Sequence, residues 1–166
     1  MKQKTITVLF FMLCAGLLMQ CKKEPTGLDK ELLDRSKATT GFTYYKNDNT
    51  IKASSPQSAH NAFFRVRFNA IAQAALTDNG KLPVDSVFPE GSLIVKELYD
   101  TQNGALKILA VSEKATGNSA SGANWLWAEY TGDGKVSYSV QKNGSGCTGC
   151  HSTDARDYSR LFNLFP

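Results

Sequence analysis

The chain has 166 residues, with 19 Lys and Arg against 15 Asp and Glu. That length fits one domain with its own core, and a balance this mild excludes the basic footprint of a nucleic-acid or polybasic membrane binder. Four cysteines and two histidines are the scarce residues on which any metal or redox chemistry must draw.

Residues 1–20 carry Lys2 and Lys4 ahead of an almost unbroken apolar run from Ile6 to Met19. The run is too short and too abruptly ended for a spanning helix and reads as a secretory signal. It closes on Leu18-Met19-Gln20-Cys21, similar to a bacterial lipoprotein processing site with Cys21 as the lipidated first mature residue, although Gln20 stands where a small residue is usual. The alternatives are ordinary cleavage or an uncleaved anchor. Cleavage before Cys21 leaves 166 − 20 = 146 residues and a net charge of 17 − 15 = +2, because Lys2 and Lys4 leave with the signal. The expected organisation is a signal at 1–20, a lipid-anchored tether at 21–27 and one domain over 28–166. The expected location is outside the cytoplasmic membrane, held by lipid and facing the periplasm or the cell surface.

Leu28, Leu32 and Leu33 predict a short helix up to Lys37. Phe42, Tyr44, Tyr45 and Ile51 flank Asn47-Asp48-Asn49 as a small hairpin or two extended pieces. Ser54-Ser55-Pro56 offers a helix start. Ala59, Ala62, Phe63, Val66, Ala70, Ile71, Ala74 and Ala75 then recur at helical steps, predicting one long amphipathic helix that ends near Asp78-Asn79-Gly80. Phe88-Pro89-Glu90-Gly91 is a turn. Strands follow over residues 92–99, 105–112 and 124–131, and Gly132-Asp133-Gly134 closes a hairpin into a fourth over 136–141. Thr116 to Gly122 is small and polar, the composition of a mobile loop. Alternation puts Lys96 on one strand face with Ile94 and Leu98, Glu97 on the other with Leu93 and Val95, and Trp125, Trp127 and Glu129 together on one face. The predicted fold is α+β: an antiparallel sheet of four to five strands, one long helix, and a C-terminal attachment helix over about residues 152–162.

That last expectation comes from Cys147-Thr148-Gly149-Cys150-His151, which follows a flexible Gly144-Ser145-Gly146. Cys-x-x-Cys-His is the attachment pattern of c-type haem: each thiol bonds one vinyl group and the histidine takes the iron from one face. A redox disulfide, a zinc site and chance are the competing explanations. Zinc is weakened by the missing fourth ligand, because the only other histidine, His60, is expected on a distant helix. A thioredoxin-like site would need a βαβ setting rather than antiparallel strands. Cys14 falls in the signal and Cys21 at its end, so no cysteine remains for a structural disulfide. The reading is one covalent haem c, with Cys147 and Cys150 binding the porphyrin and His151 as axial ligand. Met1, Met12 and Met19 are the chain's three methionines and all lie in the signal, so the mature protein has none to place opposite His151. His60, a lysine, water or an empty position remains.

The chain resembles the cytochrome P-460 and cytochrome c′-beta family. The resemblance rests on Gly41-Phe42 with Tyr45, on His60 and Asn69, on the run from Phe88-Pro89-Glu90-Gly91 through Val95-Lys96-Glu97, on Trp125-Leu126-Trp127, and on the late Cys-x-x-Cys-His. It implies an antiparallel, mostly β haem protein, commonly a homodimer, with five-coordinate iron and an accessible distal pocket. It also implies one of two chemistries. One is hydroxylamine oxidation, in members with a lysine bonded to the porphyrin edge. The other is binding of NO or CO, in members capped by aromatic residues. Lys96 is the candidate for that lysine, Lys81 a second, and either could instead reach solvent. Glu97 is the candidate proton acceptor, or a salt-bridged glutamate. Phe88 is the candidate distal aromatic, or core. The expected partners are hydroxylamine, NO or CO, a redox protein, and the membrane through lipid. An electron carrier closed by His60 or lysine, and a non-catalytic gas sensor or scavenger, are the alternative functions.

Overall fold

The computed structural model describes residues 22–38, 40–56, 58, 60 and 62–165. The signal and Cys21 lie outside the described residues. Among the described residues, no helix is long and apolar enough to cross a membrane.

One antiparallel sheet organises the chain. Its strands are β1 (Phe42–Tyr44), β2 (Lys52–Ala53), β3 (Phe63–Asn69), β4 (Leu93–Tyr99), β5 (Leu106–Lys114), β6 (Trp125–Thr131) and β7 (Val136–Tyr138). The spatial order is β1-β3-β4-β5-β6-β7, with β2 also pairing β3. The helices are short: α1 (Gly27–Lys37), α2 (Ala70–Ala74), α3 (Thr148–His151) and α4 (Leu161–Leu164).

Alternation divides the core in two. One face of the sheet carries Phe64, Val66, Phe68, Leu98, Trp125 and Trp127, covered by Leu82, Phe88 and Phe162. The other carries Val95, Leu109, Val111, Leu126, Ala128 and Tyr130, covered by Leu32 and Leu33 of α1. Asp29 joins α1 to the chain after β7 by accepting from Val140 N at 2.8 Å and Ser139 Oγ at 2.6 Å.

The structure corrects four expectations. The long helix is instead strand β3 followed by the five residues of α2. Phe64, Val66 and Phe68 face one core while Arg65 and Arg67 take the opposite face, a period of two that the surrounding alanines obscured. The sheet therefore has seven strands rather than four or five, because β3 sits inside it between β1 and β4. Asn69 ends the strand and caps α2. Its Oδ1 accepts from Ala72 N at 2.9 Å and Leu93 N at 3.1 Å, and its Nδ2 donates to Gly91 O. The C-terminal helix is likewise two single turns, α3 and α4, separated by a tight turn. The 116–122 segment, expected to be loose, is tied down. Thr116 N donates to Glu90, Ala120 is buried, and Gly122 O accepts from the Trp127 indole at 2.9 Å.

Candidate functional site

A cavity of about 440 Å³ opens against the Trp-bearing face of the sheet, within the usual size of a small-molecule or cofactor site. A single rung of the sheet crosses its floor. Val66 pairs with Lys96, Lys96 with Ala110, Ala110 with Glu129, and Glu129 with Tyr138. All five line the cavity. Ala110, the smallest of them, leaves a gap between Lys96 and Glu129.

The Cys-x-x-Cys-His segment forms the rim. Spacing of three and four within α3 brings Cys147, Cys150 and His151 to one side of a single turn, and His151 N donates to Cys147 O at 3.0 Å. Gly144 makes the approach possible. A Cβ there would stand 2.6 Å from the Trp127 ring, and its φ is +69°. Both cysteines are free thiols, Cys147 half-buried and Cys150 exposed. Burial pushes the Cys147 thiol above its ordinary pKa.

The His151 ring packs on Trp127 with centroids 4.9 Å apart. Its Nδ1 lies 2.8 Å from the carbonyl of Tyr158. A carbonyl only accepts, so Nδ1 carries the proton and Nε2 keeps the lone pair a metal needs. Burial lowers the His151 pKa, the Tyr158 bond opposing it, which favours that neutral form.

That carbonyl belongs to an unusual turn. Arg156 and Ser159 exchange backbone hydrogen bonds at 3.1 and 2.9 Å around Asp157 and Tyr158. Both central residues have positive φ, +44° and +65°, a conformation such turns normally give to Asn, Asp or Gly. A tyrosine there is strained. The Asp157 carboxylate holds the turn in place. It accepts from Lys114 Nζ at 2.8 and 2.9 Å, from Phe88 N at 2.7 Å and from Trp125 Nε1 at 3.4 Å. The side chains of Lys114 and Asp157 are 7% and 5% exposed, so this is a buried ion pair with most of its polar atoms satisfied.

Opposite His151 stands His60, with ring centroids 6.2 Å apart. Burial first, then the charges of Lys96 and His151, lower the His60 pKa to about 4. Its 3.8 Å approach to Glu129 is therefore not an ion pair at neutral pH. Lys96 stands over the Phe64 ring at 4.8 Å, and burial lowers its pKa to about 8, opposed by Glu129. Burial raises the pKa of Glu129 against the pull of Lys22 and Lys96.

The residues singled out from sequence thus fall into two groups. Lys96, Cys147, Cys150, His151 and His60 line one cavity. Glu97 does not. It lies on the opposite sheet face, 6% exposed, accepting from Arg65, Arg67 and Tyr99. Phe88 does not line the cavity either. It is 1% exposed and packs between Trp125, Phe68 and Phe162. Lys81 lies in a tight backbone turn with Asp78, also outside the cavity lining. Sequence reasoning passed over Glu129, although its shared face with two tryptophans was a usable signal. It also passed over Lys114 and Asp157, 43 residues apart, which no local pattern connects.

The donor set suits a porphyrin better than a bare ion. Among the described residues, no group of three or more His, Cys, Asp or Glu side chains could hold a metal ion. What is present is one oriented imidazole and two thiols at the rim of a largely apolar cavity, and these fit a haem. Comparison with known proteins agrees. The family model described as Cytochrome P460 matches residues 43–162, and the chain belongs to that family, which implies that it binds haem. A search of curated proteins finds no match.

Proposed function

We propose that this family member carries one haem c, joined to Cys147 and Cys150 with His151 on the iron, and that its cavity admits small nitrogen species, hydroxylamine or NO, to the other face. The observation that carries this reading is the rung on the cavity floor, which sets Lys96 and Glu129 to either side of Ala110 on the face that meets the Cys-x-x-Cys-His rim. When bound, the haem supplies an iron that takes small ligands and exchanges electrons with them.

The chain's own residues supply the rest. Tyr158 O fixes the His151 tautomer. Trp127 packs on the His151 ring and excludes water from that side. Glu129, its carboxyl raised by burial, is placed to accept protons released when a nitrogen substrate is oxidised. Lys96, lowered to about 8, exchanges a proton close to neutrality and is the lysine placed to reach a porphyrin edge. We further propose that the protein is exported and lipid-anchored at Cys21 and passes electrons to a redox protein.

A second reading is favoured by one distance. Metal–imidazole bonds run to about 2 Å, so two histidines sharing one iron hold their ring centres roughly as far apart as the 6.2 Å between His60 and His151. Iron closed in that way would mainly pass electrons. Absorption spectra of the purified holoprotein divide the two. A high-spin spectrum that shifts with NO or CO supports the open site. A low-spin spectrum indifferent to both, turned high-spin by His60→Ala, supports the closed one. Intact mass of the haem peptide then shows whether Lys96 is also bonded, without which the hydroxylamine assignment falls and gas binding remains.

A further inference from the structure

We propose that the buried pair Lys114–Asp157 is a positioning device for the axial histidine: it holds the strained turn at Asp157–Tyr158 so that the Tyr158 carbonyl stays on His151 Nδ1, and thereby sets the reduction potential of the haem. The inference rests on the reading of His151 as iron ligand.

The chain of contacts is continuous. Lys114 ends β5, inside the sheet, and is rigidly placed there, its backbone N–H donating to Ser92 O at 2.9 Å. Its ammonium reaches both oxygens of Asp157 and lies over the Trp125 ring at 5.1 Å. Trp125 and the Phe88 backbone bind the same carboxylate. Asp157 is therefore fixed by three separate elements: β5, β6 and the segment before β4. Arg156 adds a fourth anchor by donating to Asp78 and to Leu82 O. The turn needs this support, because Tyr158 sits where glycine would be relaxed. Its carbonyl is the atom that matters to the iron. A hydrogen bond accepted from the far nitrogen of a ligating histidine makes the imidazole a stronger donor, which favours the ferric state. With the clamp removed, the turn relaxes, the bond lengthens and the ferrous state gains.

The test uses the haem-loaded protein. Lys114→Met with Asp157→Ala removes both charges together and leaves neither ion buried alone. The expected result is covalent haem retained by mass, with the ferric–ferrous equilibrium displaced about tenfold toward ferrous, a rise of about 59 mV for one electron. Lys114→Met with Asp157→Asn restores an acceptor and a residue tolerant of positive φ, and returns the potential most of the way to wild type. Should the first pair fail to fold, Lys114→Gln, which keeps an amide donor beside Asp157 but removes the ammonium, is read instead for a smaller rise in the same direction. Tyr130→Phe, which loses a 2.7 Å bond to Asp29 O on the opposite sheet face, is the control: stability falls and the potential stays. A potential unchanged in the first pair, or moved equally by Tyr130→Phe, overturns the inference and leaves the proposed function intact. Wild-type protein without covalent porphyrin overturns both.

Discussion

Replacing Glu97 by Gln tests which side of the sheet does chemistry. Glu97 is the hub of a buried network. Its oxygens accept from Arg65 Nε at 2.5 Å, Arg67 Nε at 2.9 Å and Tyr99 Oη at 2.7 Å. Arg67 goes on to Ser36 O and Ala38 O, so the same network fastens the end of α1 to the sheet. Removing one partner of a buried pair costs about 3–5 kcal/mol. The lower end applies here, since the Arg65 side chain is 27% exposed and partly solvated and Gln still accepts one bond. A loss of about 3 kcal/mol in a chain of this size lowers Tm by roughly 6–12 °C. The pH dependence has a definite sign. Burial pushes the Glu97 carboxyl up, but Tyr99 and the two arginines outweigh it and hold the pKa below its ordinary value. The stabilisation is therefore present above the unfolded carboxyl pKa of about 4.3 and is lost as pH falls through the lower folded value. Thermal melts of wild type and E97Q should lie apart at neutral pH and converge under acid conditions. The haem spectrum and its response to NO should not change. A variant of normal stability whose spectrum or ligand binding is altered would refute this account and return Glu97 to the site.

Phe88→Ala should cost about 3–5 kcal/mol, the usual range for a buried aromatic, and leave the spectrum unchanged, as read by denaturant melts and absorption. Ala110→Leu, extending a side chain between Lys96 and Glu129, should fold normally yet lower haem occupancy, measured as haem per protein. In haem-free protein, Lys96→Met should be more stable than its parent by about 3 kcal/mol below pH 8. That difference converts the fall from 10.5 to about 8 at about 1.4 kcal/mol per unit. A lysine lowered in the folded state is destabilising while it must be kept charged, so the advantage should shrink between pH 8 and 10.5 and vanish above it. Melts across that range check the sign.

The β4, β5 and β6 segments were legible because each alternates cleanly between two cores. That alternation places Lys96 and Glu97 on opposite faces. What alternation does not say is which face meets the haem segment, because that segment begins 50 residues after Glu97. Thus Glu97 was expected in the site, and Glu129, which lines the cavity, was noted only as a neighbour of two tryptophans. β3 was misread for a local reason. Ala59, Ala62 and Ala70 satisfy helical steps, while Arg65-Val66-Arg67-Phe68 satisfies an extended one, and pairing with β1, β2 and β4 decides in favour of the strand. The C-terminal helix is broken where Asp154, Asp157 and Tyr158 take positive φ, and the second of these turns is held by Lys114, 43 residues earlier in the chain.

The polar stretch ahead of α1 is short of slack. Val136 N donates to Lys23 O at 2.8 Å, covering part of the outer edge of β7, and Lys22 is near enough to Glu129 to oppose the rise that burial gives its carboxyl. Two residues of extended chain reach only about 7 Å. An acyl group on Cys21 would therefore moor the domain flush to the bilayer by this flank instead of letting it swing on a leash. Small uncharged guests that dissolve in lipid would then meet the protein beside the strand that bears Glu129, while a soluble electron partner would have to dock from the opposite flank.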